Sequence, residues 1–242
     1  MLPQLAFFFI FEDMFHYFCS FFAVRCSPAL SDAPLPISAA HQLLHTPLLY
    51  KHIHKLHHKY SAPFGLAAEY AHPLEVMILG TGTILGPLLY CWVKQDLHIV
   101  TVYIWITLRL FQAIDAHSGY GKSMPSCSAA LDYEKESLTL LPREDFPWSL
   151  QHIVPFWSGA EHHDFHHMAF VNNFSTSFRW WDRLLGTDKK YLAYRERMRA
   201  ATKGLDAAQC KAVEEKMVVE EEEAGFAAEK EVERQAEGKK NQ

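Results

Sequence analysis

The chain has 242 residues, 49% of them apolar and 14% aromatic, with a formal net charge of −5. That composition excludes a disordered or collagen-like chain and argues against a nucleic-acid binder that works through a basic surface. Five scattered cysteines without a C-x-x-C pair argue against a disulfide framework or a zinc ribbon and fit a reducing compartment.

The start, Met1–Phe11, is apolar but has no basic segment ahead of it and no small-residue cleavage site, so it does not read as a signal peptide. Residues 2–24 form a Phe-rich run long enough to enter a bilayer, interrupted by Glu12, Asp13 and His16. Pro28, Pro34 and Pro36 then break any helix. His41 to Tyr60 is basic, His-rich and helical in character, and Ser61–Gly65 reads as a turn. Val76–Val93 carries no charge, Lys94-Gln95-Asp96 is a polar break, and Leu97–Ile114 carries only Arg109. Each run has about 18 residues, roughly 27 Å of helix, which predicts a membrane hairpin over 76–114 that enters and leaves by one face. A pair of core helices in a soluble protein is the competing reading. Arg109 is expected to snorkel to the headgroups, and Gly80, Gly82 and Gly86 to allow close helix packing. The hairpin puts His72 and His117 at the same membrane face. Residues 121–144 show no period. His152–Tyr194 is aromatic and His-rich, helical in its first half. From Arg195 onward, 12 of the 28 acidic and 10 of the 23 basic residues crowd into a tail that reads as a solvated helix or disorder, with no specific role expected for Glu220–Glu223.

The chain has 15 histidines, and three clusters carry the chemistry: His41-x-x-x-His45, His54-x-x-His57-His58 and His163-x-x-His166-His167. Positions i, i+3 and i+4 share a helix face, so each cluster can aim two or three imidazoles at one point. Eight rings exceed the four that one zinc ion takes, so two metals are expected. Imidazole suits iron, copper, zinc and nickel alike, and ligand type does not choose among them. His16, His52, His98 and His152 read as surface or hydrogen-bonded side chains. His162 lies off the shared face of its cluster.

These clusters resemble those of the fatty acid hydroxylase superfamily of membrane di-iron oxygenases. The longer segments KHIHKLHHKYSAPFGLAAEYAHPLE (51–75), DAHSGY (115–120) and FPWSLQHIVPFWSGAEHHDFHHMAFVNNFSTSFRWWDRLLGTD (146–188), with Phe11-Glu12-Asp13, are similar to the C4-methyl sterol oxidases over most of residues 7–194. The resemblance implies an all-α integral-membrane helical bundle with a cytosolic, histidine-rich di-metal cap over residues 1–194. It implies two non-haem iron ions, with His41, His45, His54, His57, His58, His163, His166 and His167 as ligands and His117 as a ninth. His72 is a further possible ligand. Asp164, Asp115 and Glu69 are the candidates to accept the outer N–H of ligand rings. Asp182 and Arg183 read as an internal ion pair. The implied reaction is O2-dependent oxidation of the C4 methyl group of sterol precursors, through the alcohol and aldehyde to the carboxylate. Electrons come from NAD(P)H through cytochrome b5 or a reductase, the sterol comes from the bilayer lipid, and a sterol C4-decarboxylase complex follows. A C5-sterol desaturase or lipid hydroxylase shares the histidine clusters and is the alternative. Lys239 and Lys240, fourth and third from the end, resemble a retrieval signal of endoplasmic-reticulum membrane proteins and imply a multi-pass protein with its histidine face and tail (195–242) in the cytosol.

The chain departs from the family pattern by insertions at about 19–39 and 121–144, which contain Cys19, Cys26 and Cys127. Gly121-Lys122-Ser123 can be encoded by a sequence with a 5′ splice signal, so the second insertion reads as a retained intron. The family usually carries further membrane helices ahead of the region where this chain starts. A catalytically inactive homologue, interrupted by the insertions, is the remaining alternative.

Overall fold

The computed structural model describes residues 1–25, 40–60, 64–118, 150, 154, 156–170 and 172–238. Most of the insertion at 19–39, all of that at 121–144, His152 and Lys239–Lys240 lie outside the described residues. Among the described residues the architecture is helical, with one isolated antiparallel bridge between Trp157 and Phe178.

α1 (Leu2–Arg25) buries one stripe at helical spacing: Leu5, Phe8, Phe9, Glu12, Asp13, His16 and Tyr17. It lies along α4 (Pro73–Lys94). The contact works because two glycines of α4 leave notches for phenylalanine rings. A Cβ on Gly82 would come within 2.6 Å of the Phe15 ring, and one on Gly86 within 3.1 Å of the Phe11 ring. Gly80, expected in the same role, has nothing within 4 Å.

α4 and α5 (Ile99–Ala116) form the expected hairpin. Both are long and apolar enough to cross a bilayer. Each start is fixed by a histidine whose Nδ1 accepts a backbone N–H: His72 from Leu74 at 3.2 Å, His98 from Val100 at 3.1 Å. Gln95, at φ 54°, ends α4 in the left-handed conformation and makes the break short. Met77, Leu88 and Trp92 on α4, and Tyr103 and Phe111 on α5, face outward and are exposed. Such a surface suits hydrocarbon rather than water.

Arg109 does not reach for the headgroups. Its Nε donates to Glu12 Oε1 at 2.7 Å, its Nη1 donates to Gln112 Oε1, and Thr83 Oγ1 donates to the same Glu12 oxygen at 2.5 Å. Glu12 is fully buried. A charge inside an apolar bundle is tolerated when a partner of opposite sign meets it, and α1 supplies that partner. Next to this pair, Phe8, Phe9, Trp105, Trp157 and Phe178 form an aromatic core, with Phe9 and Trp105 edge to face at 4.7 Å. Asp13 fastens the later part of the chain to α1. Its carboxylate accepts the N–H groups of Ser177 (3.0 Å) and Phe178 (3.2 Å) and the indole N–H of Trp180 (3.1 Å).

Two short helices, α2 (Ala40–Leu44) and α3 (Pro47–His52), precede 3-10 turns at His54–Lys59 and Gly65–Glu69. After the hairpin come α6 (Ala160–Ala169), α7 (Trp180–Leu185), α8 (Lys189–Thr202) and α9 (Ala207–Gly238). The helix α8 runs through position 195, where the tail was expected to start. α9 is not simply solvated: it packs on α3, α6 and α8. Glu221, within the acidic run, is buried and pairs with Lys190 at 2.7 Å and Arg197 at 2.9 Å. Tyr50 donates to Glu229 at 3.0 Å. At Gly225 α9 approaches α6 so closely that an added Cβ would stand 1.9 Å from the Met168 carbonyl oxygen. Gly225→Ala should therefore push α9 off its seat and cost about 1–3 kcal/mol. A lowered melting temperature of the detergent-solubilised chain checks this, and an unchanged one contradicts the packing.

Candidate metal centre

Four separate stretches deliver the nine rings. α2 carries His41, and His45 follows directly at its C-terminal end. The 3-10 turn carries His54, His57 and His58; His117 caps α5; α6 carries His163, His166 and His167. The second cluster was expected on an α-helix. In the tighter 3-10 turn residues three apart eclipse, so His54 and His57 stack in one row, ring centroids 5.5 Å apart. Each then serves a different group.

The rings gather into two sets. His41, His45, His54, His58 and His166 form one; His57, His117, His163 and His167 form the other. Within each set the ligand nitrogens lie within 4.8 Å of one another. The inward atoms are Nε2. In the first set His41 and His45 each approach His54, at 3.2 and 3.1 Å, His58 approaches His54 at 3.1 Å, and His45 approaches His166 at 3.2 Å. In the second, His117 lies 3.2 Å from His57 and 3.0 Å from His163, and His167 lies 3.2 Å from His163.

Hydrogen bonds among the rings do not account for this arrangement. Several outer Nδ1 atoms have their own acceptors: His41 donates to the Phe174 carbonyl (3.0 Å), His54 to Glu75 Oε1 (2.8 Å), His117 to the Ala113 carbonyl (2.8 Å) and His166 to the Asn172 carbonyl (2.6 Å). A neutral ring with its proton on Nδ1 turns a lone pair inward at Nε2. Burial keeps the rings neutral by disfavouring the charged form. It pushes His41 and His117 down to about 4 and His57 down to about 3, against a partly opposing backbone hydrogen bond in each case. The other six are also held below the ordinary range, by burial first and then by their neighbours. Lone pairs aimed at one another repel, and a cation between them removes the repulsion. Nitrogens about 2.1 Å from an ion and at right angles stand about 3.0 Å apart, whereas tetrahedral ones stand about 3.4 Å apart. The observed spacing, and a set of five, fit a coordination number above four. The residues present fit two metal ions.

One outer partner was not among the sequence candidates. That residue, Glu75, holds His54 and is 2% exposed. The signal available was its place as the one acidic residue in the first turn of an apolar helix. Asp115 is buried two residues before His117, Asp164 is half-buried beside His163, and Glu69 is exposed. His72 belongs to neither set and caps α4. His16 is buried, with Nε2 donating to the Leu79 carbonyl at 2.9 Å. His162 belongs to neither set and turns toward Ser158 (3.1 Å) and Asp182 (3.3 Å). Asp182 does not pair with Arg183, which extends to Asp188 at 3.4 Å. Asp182 instead accepts from the backbone N–H groups of Phe174 and Ser175, both at 2.9 Å, and from Thr187 Oγ1 at 2.6 Å. Burial pushes its pKa up, but His162 and these donors outweigh burial and hold it below the ordinary carboxylate value.

Partners in the outer shell of a ligating histidine typically contribute 10–100-fold to metal affinity. Glu75→Gln should weaken metal retention by about that factor while leaving the fold intact. Competition with a chelator measures it, and unchanged retention contradicts the role of Glu75.

The fatty acid hydroxylase family profile matches residues 38–187. The chain is 47% identical over 201 residues to the C-4 methylsterol oxidase erg25 of Schizosaccharomyces pombe, covering 83% of this chain and 52% of that protein. It is 50% identical over 188 residues to the methylsterol monooxygenase erg25B of Aspergillus fumigatus, covering 78% and 48%. It is 45% identical over 159 residues to methylsterol monooxygenase 1 of Rattus norvegicus, covering 66% and 44%. The chain thus spans about half the length of the curated relatives it matches. No solved structure matches.

Proposed function

The chain belongs to the fatty acid hydroxylase family, and from that membership we propose that it is a methylsterol monooxygenase, oxidising the C4 methyl group of sterol precursors with O2. The observation that carries the proposal is a cavity of about 380 Å³ walled by rings of both histidine sets. His41 and His54 come from one set, and His57, His117 and His163 from the other. The rest of the wall is largely apolar and is built by α4 and α5, including Val76, Leu79, Ile106 and Leu110. A cavity with an apolar wall from membrane helices and metal ligands at one end suits an oily substrate arriving from the bilayer.

The metals are taken to be two non-haem irons, which when bound supply O2 activation and electron acceptance. The chain's own residues hold and orient that chemistry. Phe174, Asn172, Ala113 and Glu75 fix four ligand rings from behind. Phe170 stands over the first set, 4.9 Å from the His45 ring and 4.5 Å from the Tyr50 ring. NAD(P)H through cytochrome b5 or a reductase supplies the electrons, and a sterol C4-decarboxylase complex takes the carboxylate product. We take the membrane to be that of the endoplasmic reticulum, with the histidine face and tail in the cytosol; the two apolar helices of the hairpin support residence in a membrane.

The test is complementation of a cell lacking its own C4 oxidase, which accumulates 4,4-dimethyl sterols, together with metal analysis of the purified chain. The expected result is two irons per chain and loss of the 4,4-dimethyl sterols. A chain that binds iron and leaves those sterols unchanged, with or without residues 19–39 and 121–144, overturns the substrate. A chain that binds no iron overturns the oxygenase.

A further inference from the structure

The wall of the cavity beside the metal centre is largely apolar, but two polar side chains that hold no metal ligand stand together in it: His16 and Thr176. Both are placed by α1. Asp13 and His16, three residues apart, share a face of that helix. Asp13 accepts the N–H groups of Ser177 and Phe178, which lays the segment carrying Thr176 against His16. The Thr176 carbonyl accepts from Gln112 Nε2 at 2.8 Å, so its backbone is also tied to α5.

His16 is buried, and its tautomer follows from its neighbour. Nε2 meets the Leu79 carbonyl at 2.9 Å. A carbonyl only accepts, so Nε2 carries the proton, and Nδ1 of the neutral ring is an acceptor. Thr176 Oγ1 faces that acceptor from 3.5 Å, beyond the usual span of an O–H hydrogen bond. The Thr176 side chain is half-buried and its hydroxyl can rotate. An acceptor and a rotatable donor, poorly joined to each other in an apolar wall, suit one guest group that donates and accepts together. An alcohol hydroxyl does both.

The depth of the pair selects a particular hydroxyl. On α4, Glu75 marks the layer of the metal ligands, because its carboxylate accepts from His54. Leu79, which holds His16, lies one helical turn further along, about 6 Å. Thr83 lies a second turn along, where it and Arg109 donate to Glu12. A sterol carries a hydroxyl on C3, three bonds from a methyl carbon on C4. With that methyl group at the metal layer, the hydroxyl falls within the first turn, at the level of His16.

We propose that His16 and Thr176 bind the C3 hydroxyl of the sterol, which donates to His16 Nδ1 and accepts from Thr176 Oγ1. This rests on the sterol reading of the cavity and adds the group that orients C4 toward the metals. An ether oxygen only accepts and leaves Nδ1 unpaired, and a 3-deoxy hydrocarbon leaves both partners unpaired. A site built around an O–H rejects analogues that lack it.

The test is equilibrium binding of 4,4-dimethylcholesterol, its 3-methyl ether and its 3-deoxy analogue to the full chain in detergent. The chains compared are the native one, His16→Phe and Thr176→Val, with metal content and melting temperature reporting that each variant is folded. The native chain should bind the alcohol at least tenfold more tightly than either analogue. His16→Phe should bring the alcohol and the ether to within about threefold of each other. Thr176→Val should cut the advantage of the alcohol over the hydrocarbon at least threefold, and it decides the matter if His16→Phe fails to fold. A role in packing alone would weaken all three ligands together. No preference of the native chain for the alcohol, or a preference that a folded variant leaves unchanged, overturns the proposal. If the binding pattern holds while complemented cells leave their sterols unoxidised, the hydroxyl site stands and the monooxygenase reading falls. If the sterols are oxidised without the pattern, the monooxygenase reading stands and the hydroxyl site falls.

Discussion

His166→Ala and His57→Ala should each abolish sterol oxidation and lower iron content from two ions toward one per chain. His166 belongs to the set of five and His57 to the set of four, so each variant opens a different coordination shell. The loss should exceed the roughly 100-fold limit seen when only an outer partner of a ligand is removed. Both variants should stay folded, because the remaining rings are anchored from outside by carbonyls and by Glu75. Metal analysis of the purified chains and sterol profiling of complemented cells measure the two effects. Retained oxidation in either variant would contradict the ligand assignment, and retained oxidation with lost iron would contradict the need for two metals.

The second large effect falls on a residue outside both histidine sets. Asp182→Ala removes a fully buried carboxylate that pairs with His162 and accepts three hydrogen bonds from Phe174, Ser175 and Thr187. Breaking a buried charged pair costs about 3–5 kcal/mol, and the orphaned N–H groups add to that. Because Phe174 also orients His41, the variant should lose metal from the first set before the second. Thermal melting and graded chelation in detergent check both statements. The pH dependence has a definite sign. The folded pKa of Asp182 lies below the ordinary carboxylate value. Its stabilisation is therefore fully present above the unfolded carboxylate range and fades as the pH falls through the lower, folded value. Stability contributed by Asp182 should be flat from about pH 5 to 8, and a loss of that contribution above pH 5 would contradict the assignment.

Much of the grouping of the histidines could be read from the residues because spacing along a helix is a local property. Clusters at i, i+3 and i+4 must present their rings together, and a hairpin must bring residues 72 and 117 to one face. Which ring joins which set was not readable, since it depends on the tighter winding at His54–Lys59 and on where α2 meets α6. Glu75 was missed because its partner, His54, lies 21 positions back. Arg109 was misread for a similar reason: its partner Glu12 is 97 residues away, and an isolated apolar run gives no hint of it. The tail was read as solvated from its charge alone. The few positions that seat it, Gly225, Glu221 and Glu229, are scattered among exposed ones. Local periodicity carries none of these pairings, because each joins elements far apart in the chain.

The buried Glu12–Arg109 pair also bears on the order of assembly. A lone guanidinium at mid-bilayer opposes insertion by about 2.5–3.5 kcal/mol, so the second arm of the hairpin enters the lipid at a disadvantage until an acid meets it. The acid lies on α1, about a hundred residues earlier in the chain. Synthesis from the N-terminus thus delivers the counter-charge before the charge it must neutralise.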